Sequence, residues 1–164
     1  MKSRVTRIGV ISDTHGLMRP EALAALAGVS HIIHAGDVGS PEVLAALGAI
    51  APVMAVRGNN DTAAWARKLP LTGALKVAGR TLYVLHDIAD LDVDPAAAGF
   101  AVVIAGHSHK PSAVTQDGVL FMNPGSAGPR RFKLPVTIGL LQVGHAGIDA
   151  EIQELNLPEK GAPS

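Results

Sequence analysis

Ile8-Gly9-Val10-Ile11-Ser12-Asp13 is a short β-branched run that ends on a carboxylate. It reads as a buried strand that delivers Asp13 to its carboxyl end. After a loop to Arg19, Pro20 suits the first turn of a helix running to about Ala27, because its missing N–H would be unpaired there anyway. His31-Ile32-Ile33-His34-Ala35 reads as a second strand. Gly36-Asp37-Val38-Gly39 then turns the chain, and Ser40-Pro41, an N-cap followed by a first-turn proline, opens a helix to about Leu47. Val53 to Val56 is the next strand. Strand, loop, helix and strand at such short spacing predict parallel βαβ units in the first third of the chain.

The rhythm changes at Gly73. Leu75-Lys76-Val77 and Thr81-Leu82-Tyr83-Val84-Leu85 flank Ala78-Gly79-Arg80 with no room for a helix, which predicts a hairpin. A loop rich in aspartate and a short helix started by Asp94-Pro95 lead to a strand from Phe100 to Ala105. Asp117-Gly118 marks a second hairpin between Val114 and Phe121. Two more strands, Val136 to Val143 and Ile148 to Leu155, complete a β-rich later half, and two packed sheets covered by helices accommodate both halves.

At 164 residues the chain suits one domain, expected over residues 1–155, with a fraying tail from Asn156 to Ser164. Apolar residues make up 48% of it and the mean hydropathy is +0.28, yet no apolar stretch approaches the roughly 18 residues of a membrane span. Lys2 and Arg4 precede an apolar run broken by Asp13, unlike a signal peptide, so the expected location is cytoplasmic with no membrane partner. Fourteen basic and fourteen acidic residues balance without long runs, which argues against a nucleic-acid partner. There is no cysteine, which removes disulfides, thiolate zinc sites and a cysteine nucleophile together.

Seven residues recur in one kind of place, just after a predicted strand: Asp13, His15, Asp37, Asn59, His86, His107 and His109. Side chains at the carboxyl ends of strands converge on one cleft even when far apart in sequence. Carboxylate, imidazole and amide oxygen suit divalent first-row metals better than calcium or magnesium. Asp13-Thr14-His15 and His107-Ser108-His109 each place two of them two residues apart, pointing the same way in extended chain. Gly36, Gly58 and Gly106 sit beside candidate ligands and let the backbone approach closely.

Asp13-Thr14-His15, Gly36-Asp37, Gly58-Asn59-Asn60-Asp61, His86 and Gly106-His107-Ser108-His109, in that order, resemble the calcineurin-like metallophosphoesterases. The likeness runs from Ile8 to about Ser126. With Asn123-Pro124-Gly125-Ser126 and the small size, the chain looks like the family's small prokaryotic phosphodiesterase branch. The resemblance implies an α/β fold, a four-layer α/β/β/α sandwich of two mixed sheets flanked by helices. It implies that Asp13, His15 and His109 hold a first metal, that Asn59, His86 and His107 hold a second, and that Asp37 bridges them. Two divalent transition metal ions would then share a hydroxide that attacks the phosphorus of a small phosphate ester; manganese is the first choice, with iron, nickel and zinc compatible. A non-catalytic scaffold of the same fold and a nuclease are the competing functions.

Asp87 follows His86 where the family commonly has glycine, so the backbone is expected to turn differently there. Asp87, Asp90, Asp92 and Asp94 are expected to form a solvated surface segment. His34 either orients a metal ligand or is simply structural. Asn123 to Ser126 reads as a tight turn beneath the metals, Arg57 as a phosphate contact or a surface ion pair, and Arg130 and Arg131 as a solvated loop. Trp65, Ala64 and Leu69 fit helix packing or a subunit contact, leaving a homo-oligomer open. Asn60 stands where larger family members place a histidine that protonates the leaving group, and an amide cannot supply that proton. Asn60→His is therefore expected to raise turnover of esters with poor leaving groups relative to aryl esters, measured as the ratio of kcat/KM for an alkyl and an aryl ester.

Overall fold

The computed structural model describes residues 5–131 and 133–157. Its strands are β1 (Val5–Ile11), β2 (His31–His34), β3 (Val53–Ala55), β4 (Thr72–Val77), β5 (Arg80–Leu85), β6 (Phe100–Ile104), β7 (Ser112–Gln116), β8 (Val119–Asn123), β9 (Thr137–Gly144) and β10 (Ile148–Glu154). Helices α1 (Pro20–Ala25) and α2 (Pro41–Gly48) connect the first three strands, and short 3-10 helices cover Ala64–Lys68 and Ile88–Asp90. Both α-helices carry proline in the first turn, as expected, but Ser40 sits extended before α2 without a side-chain capping bond. No helix among the described residues is long and apolar enough to cross a membrane.

The strands form two mixed sheets, ordered β10-β9-β1-β2-β3 and β4-β5-β6-β8-β7. β1, β2 and β3 run parallel, with Ile8 opposite His31 and Ile32 opposite Val53, and β9 closes antiparallel on β1. In the second sheet β5, β6 and β8 run parallel between antiparallel edges. Period-two alternation sorts the apolar residues: Ile8, Val10, Ile33, Leu82, Val84, Val102 and Ile104 are buried between the sheets. Ile11, Ile32 and Ile138 face the other way and pack with Leu26, at the end of α1, and Val43 and Leu47 of α2.

The outer face of the second sheet has a thinner cover. Leu85, Val103 and Val119 pack there with Leu91, and Tyr83 stacks on Phe100 at 4.5 Å between ring centroids. The helix expected after Asp94-Pro95 is a closed turn instead. Asp94 Oδ1 accepts from Ala96 N and Ala97 N, Phe100 N donates to Pro95 O at 2.9 Å, and Gly99 at φ 81° ends the turn. So short a segment gains too few helical bonds to offset nucleation. Trp65 and Leu69 pack against the helix-side core, which accounts for them within one chain. Leu157 packs there too, whereas residues 158–164 of the expected fraying tail lie outside the described residues.

Beyond their carboxyl ends β1 and β2 stay tied: Asp13 N, His15 N and Gly16 N donate to Gly36 O, Asp37 O and Val38 O at 2.8–3.0 Å. Two buried polar residues strap these loops. His34 accepts from Gly36 N at Nδ1 (3.1 Å), so its proton sits on Nε2 and donates to Thr14 Oγ1 (3.0 Å), which donates in turn to Val38 O. Asp61 accepts from Val38 N, Gly39 N and Gly58 N at 2.9–3.1 Å, joining the loop after β2 to the loop after β3. His34 bonds no candidate ligand side chain, so of the two alternatives its geometry is that of a structural histidine.

Asp61→Ala would strand three backbone donors, two of them in wholly buried bonds, and is expected to cost about 3 kcal/mol, read from the urea midpoint. Burial pushes the His34 imidazole down to about 3, outweighing the opposing pull of the nearby Asp61 and Asp37 charges. A histidine kept neutral in the fold is protonated first in the unfolded chain. Its penalty is absent above pH 6.5 and grows as pH falls from about 6.5 toward about 3. His34→Gln should flatten the slope of stability against pH in that window, measured by urea unfolding of metal-free protein at stepped pH.

Candidate metal centre

All seven sequence-chosen residues meet at the lip formed by the carboxyl ends of β1, β2, β3, β5 and β6. Asp13 is fully buried, and Ser12 Oγ (2.6 Å) and His107 N (3.0 Å) both donate to its Oδ2. Its other oxygen, Oδ1, has no hydrogen-bond partner. Three imidazole nitrogens converge on that oxygen: His109 Nε2 at 3.3 Å, His15 Nε2 at 3.8 Å and His86 Nε2 at 3.9 Å. His15 and His109 also stand 3.5 Å apart, Nε2 to Nε2.

Asp37 lies beside this group. Asn60 clamps it, donating from its backbone N to Oδ1 (2.9 Å) and from its side-chain Nδ2 to Oδ2 (3.0 Å). The same Oδ2 is 3.3 Å from His86 Nε2 and 3.9 Å from His15 Nε2. Burial works against the Asp37 charge, but the bonds from His86 and Asn60 outweigh it and hold the carboxyl well below the usual range. On the far side of His86, His107 Nδ1 lies 3.3 Å from His86 Nε2 and 3.2 Å from Asn59 Oδ1. Asn59 and His107 are exposed, whereas Asp13, Asp37, His86 and His109 are buried.

The ring of His86 has a defined tautomer. Its Nδ1 is 2.8 Å from Ala35 O, a carbonyl that only accepts, so Nδ1 carries a proton and Nε2 is the ring atom left to hold a second proton or a metal. Nε2 faces Asp37 Oδ2 and, farther off, Asp13 Oδ1. Burial lowers the proton affinity of His86, yet the bonds to Asp37 and Ala35 and the nearby Asp13 charge overcome it and raise its pKa. His109 is shifted the other way, downward, by burial. Carboxylate oxygens and imidazole nitrogens crowded together away from water need positive charge between them, which ring protons supply singly and a divalent cation supplies to all of them together. The donor set therefore fits a metal. Two overlapping groups, Asp13 with His15 and His109 and Asp13 with Asp37 and His86, each bring their ligand atoms within 4.8 Å of one another.

The backbone is bent to make this possible. Asp13, His15, Asp37, His107 and His109 all have positive φ, between 48° and 70°, a region side chains other than glycine seldom occupy. Glycines give the clearance. A Cβ on Gly58 would strike Asp37 Oδ1, and one on Gly106 would strike Ser12 Oγ and Asp13 Oδ2, so the close approach is to the carboxylates themselves. Asn123 to Ser126 is the tight turn expected: Ser126 Oγ donates to Asp13 O (3.0 Å) and Asn123 Nδ2 donates to Gly106 O (3.0 Å).

Some supports were not foreseen. Ser12 carried no spacing signal, and Asp61 was visible only as the last member of Gly58-Asn59-Asn60-Asp61. Asp87 keeps an extended backbone, φ −117° and ψ 121°, so this position needs no glycine. The acidic loop is exposed, as expected, but it is also part of the site's surroundings. Asp87 Oδ2 lies 3.6 Å from His107 Nε2, and Asp87, Asp90 and Asp92 line a cavity of about 800 Å³ beside His86, His107 and Asn59. Arg130 and Arg131 are exposed, and His145 sits exposed in the turn between β9 and β10.

Residues 6–146 match the family described as the calcineurin-like phosphoesterase superfamily domain. A probable metallophosphoesterase of the archaeon Methanothermobacter thermautotrophicus is 32% identical over 163 residues, covering 92% of this chain and 94% of that protein. Among solved structures, an archaeal phosphodiesterase superposes with a TM-score of 0.75 at 24% identity, covering 90% of this chain and all of that one. Vacuolar Protein Sorting 29 from Cryptosporidium parvum does so with 0.73 at 18% identity, covering 93% and 99%. The sandwich of two mixed sheets is thus shared with both. Five ordered motifs, their convergence at one lip and a family match over most of the sequence agree: the chain belongs to the calcineurin-like phosphoesterase superfamily.

Proposed function

We infer that the protein is a dinuclear-metal phosphodiesterase acting on a small phosphate ester. Asp13, His15 and His109 would hold one ion and Asn59, His86 and His107 the other, with Asp37 shared between them. The observation that carries this reading is the orphaned Asp13 Oδ1, wholly buried and ringed by imidazole nitrogens. The position of Asp37 Oδ2 between His15 and His86 supports its shared role. Oxygen and imidazole donors without thiolate suit manganese, iron, nickel or zinc, and manganese is our first choice. When bound, such a pair neutralises phosphoryl charge and lowers the pKa of water.

The chain's own groups have the remaining tasks. Ala35 O fixes the His86 tautomer so that Nε2 is the coordinating atom. Asp87 Oδ2 lies 3.6 Å from His107 Nε2, on the side away from Asn59 and His86, so Nδ1 is the His107 atom turned toward them. Asn60 orients Asp37 and keeps one amide hydrogen for a phosphoryl oxygen. It offers no proton to a departing alcohol, so acidic leaving groups are favoured. A non-catalytic scaffold has no need for this convergence of acceptors, and His15, His86, His107 and His109 are all kept.

Chelator-stripped protein is expected to lose hydrolysis of simple aryl phosphate esters and regain it on metal addition, with diesters turned over better than monoesters. Asp37→Asn should lower kcat/KM about a hundredfold or more. Full activity without metal, or in Asp37→Asn, would remove the dinuclear reading. A monoester preference would remove the phosphodiesterase one.

A further inference from the structure

We propose that the substrate carries a second anionic group, a carboxylate or a phosphate, beyond its reacting phosphorus, and that Arg57 holds it in the cavity beside Asn59 and His107. The proposal rests on the phosphoesterase reading, since that reading places the reacting phosphorus. The cavity holds about 800 Å³, far more than a lone phosphoryl group fills, and its size is that of a site for a whole small molecule.

Arg57 is fixed by its position in the chain. It directly precedes Gly58-Asn59, its backbone N–H donates to Pro70 O at 2.8 Å, and its side chain is half-buried and lines the cavity. The guanidinium Nε is buried and has no hydrogen-bond partner. No ion pair among the described residues includes Arg57, although Asp87, Asp90 and Asp92 line the same cavity. A guanidinium keeps its charge at any accessible pH and presents a planar fork matched to carboxylate and phosphate.

The three aspartates on the cavity wall pull the other way and would favour a cationic group. Surroundings decide between the two walls. Asp90 and Asp92 are exposed, so water satisfies and screens them, and Asp87 accepts from Ala89 N and lies 3.6 Å from His107 Nε2. Arg57 is half-buried with Nε shut away from water, so its charge is less screened than theirs, and its terminal nitrogens are the atoms left for an anion to reach. Arg67, exposed on the same cavity, adds a second positive charge.

Calorimetric titration of the manganese-loaded full chain with alkyl, ω-carboxyalkyl and ω-aminoalkyl phosphonates of matched short chain lengths tests the proposal without requiring turnover. The best carboxyalkyl phosphonate should bind about tenfold tighter than the alkyl compound of its length, with no such gain for the aminoalkyl series. Arg57→Met should bring that ratio close to one. Equal binding in the wild type, a preference for the aminoalkyl series, or a carboxylate preference that survives in Arg57→Met would overturn it. Arg57→Lys carries the test if the methionine variant does not fold, because lysine keeps the charge but not the fork, and an unchanged ratio there would count against the proposal. Hydrolysis of an aryl phosphodiester by the same preparation reports separately on the phosphoesterase reading.

Discussion

Buried acceptors that face one another are the constraint from which the rest of the structure follows. Asp13 Oδ1, Asp37 Oδ2 and the Nε2 atoms of His15, His86 and His109 crowd together at separations of 3.3–3.9 Å. A protein does not collect lone pairs in its interior without opposing charge, since each loses its water and repels the next. The surroundings hold the group together by occupying several of its other valences. Ser12 and the His107 N–H take Asp13 Oδ2, Asn60 takes both Asp37 oxygens, and Ala35 takes the far nitrogen of His86. Asp13 Oδ1 is left free at the centre.

The cost of this arrangement is visible in the main chain. Five of the seven candidate ligands adopt left-handed backbone, at roughly 1–3 kcal/mol each when the residue is not glycine. The extended bonding between the loops after β1 and β2, together with the His34 and Asp61 straps, supplies the rigidity that keeps such conformations from relaxing. Strain and scaffold are thus two sides of the same local design, one carried by the residues that face the centre and the other by residues that never reach it.

The division between what could and could not be read from the sequence follows from this. Strands with period-two patterning and helices opened by Pro20 and Pro41 depend on local chemistry, and they stand where the residue types put them. The seven candidates were legible because each follows a strand and belongs to an ordered set of motifs. The left-handed backbone of Asp13 or His109 was not legible, since their residue types are common in ordinary loops. Nor was the strap made by Asp61, whose three partners come from two separate loops. The segment after Asp94-Pro95 carried a helix-start signal but lacked the length to follow it. The acidic loop was exposed as charge alone suggested, while its nearness to His107 depended on where β5 ends.

The two ends of the sandwich divide the work unequally. Every long connection between parallel strands gathers at the lip that holds the centre. The tight reversals at Ala78-Gly79, Asp117-Gly118 and Gly144 to Gly147 fall at the opposite end of their strands. Sequence drift, an added peptide or attachment to a solid support at those reversals leaves the chemistry alone, because no candidate ligand and no strap residue belongs to them. The molecule has in effect a working rim and a handle.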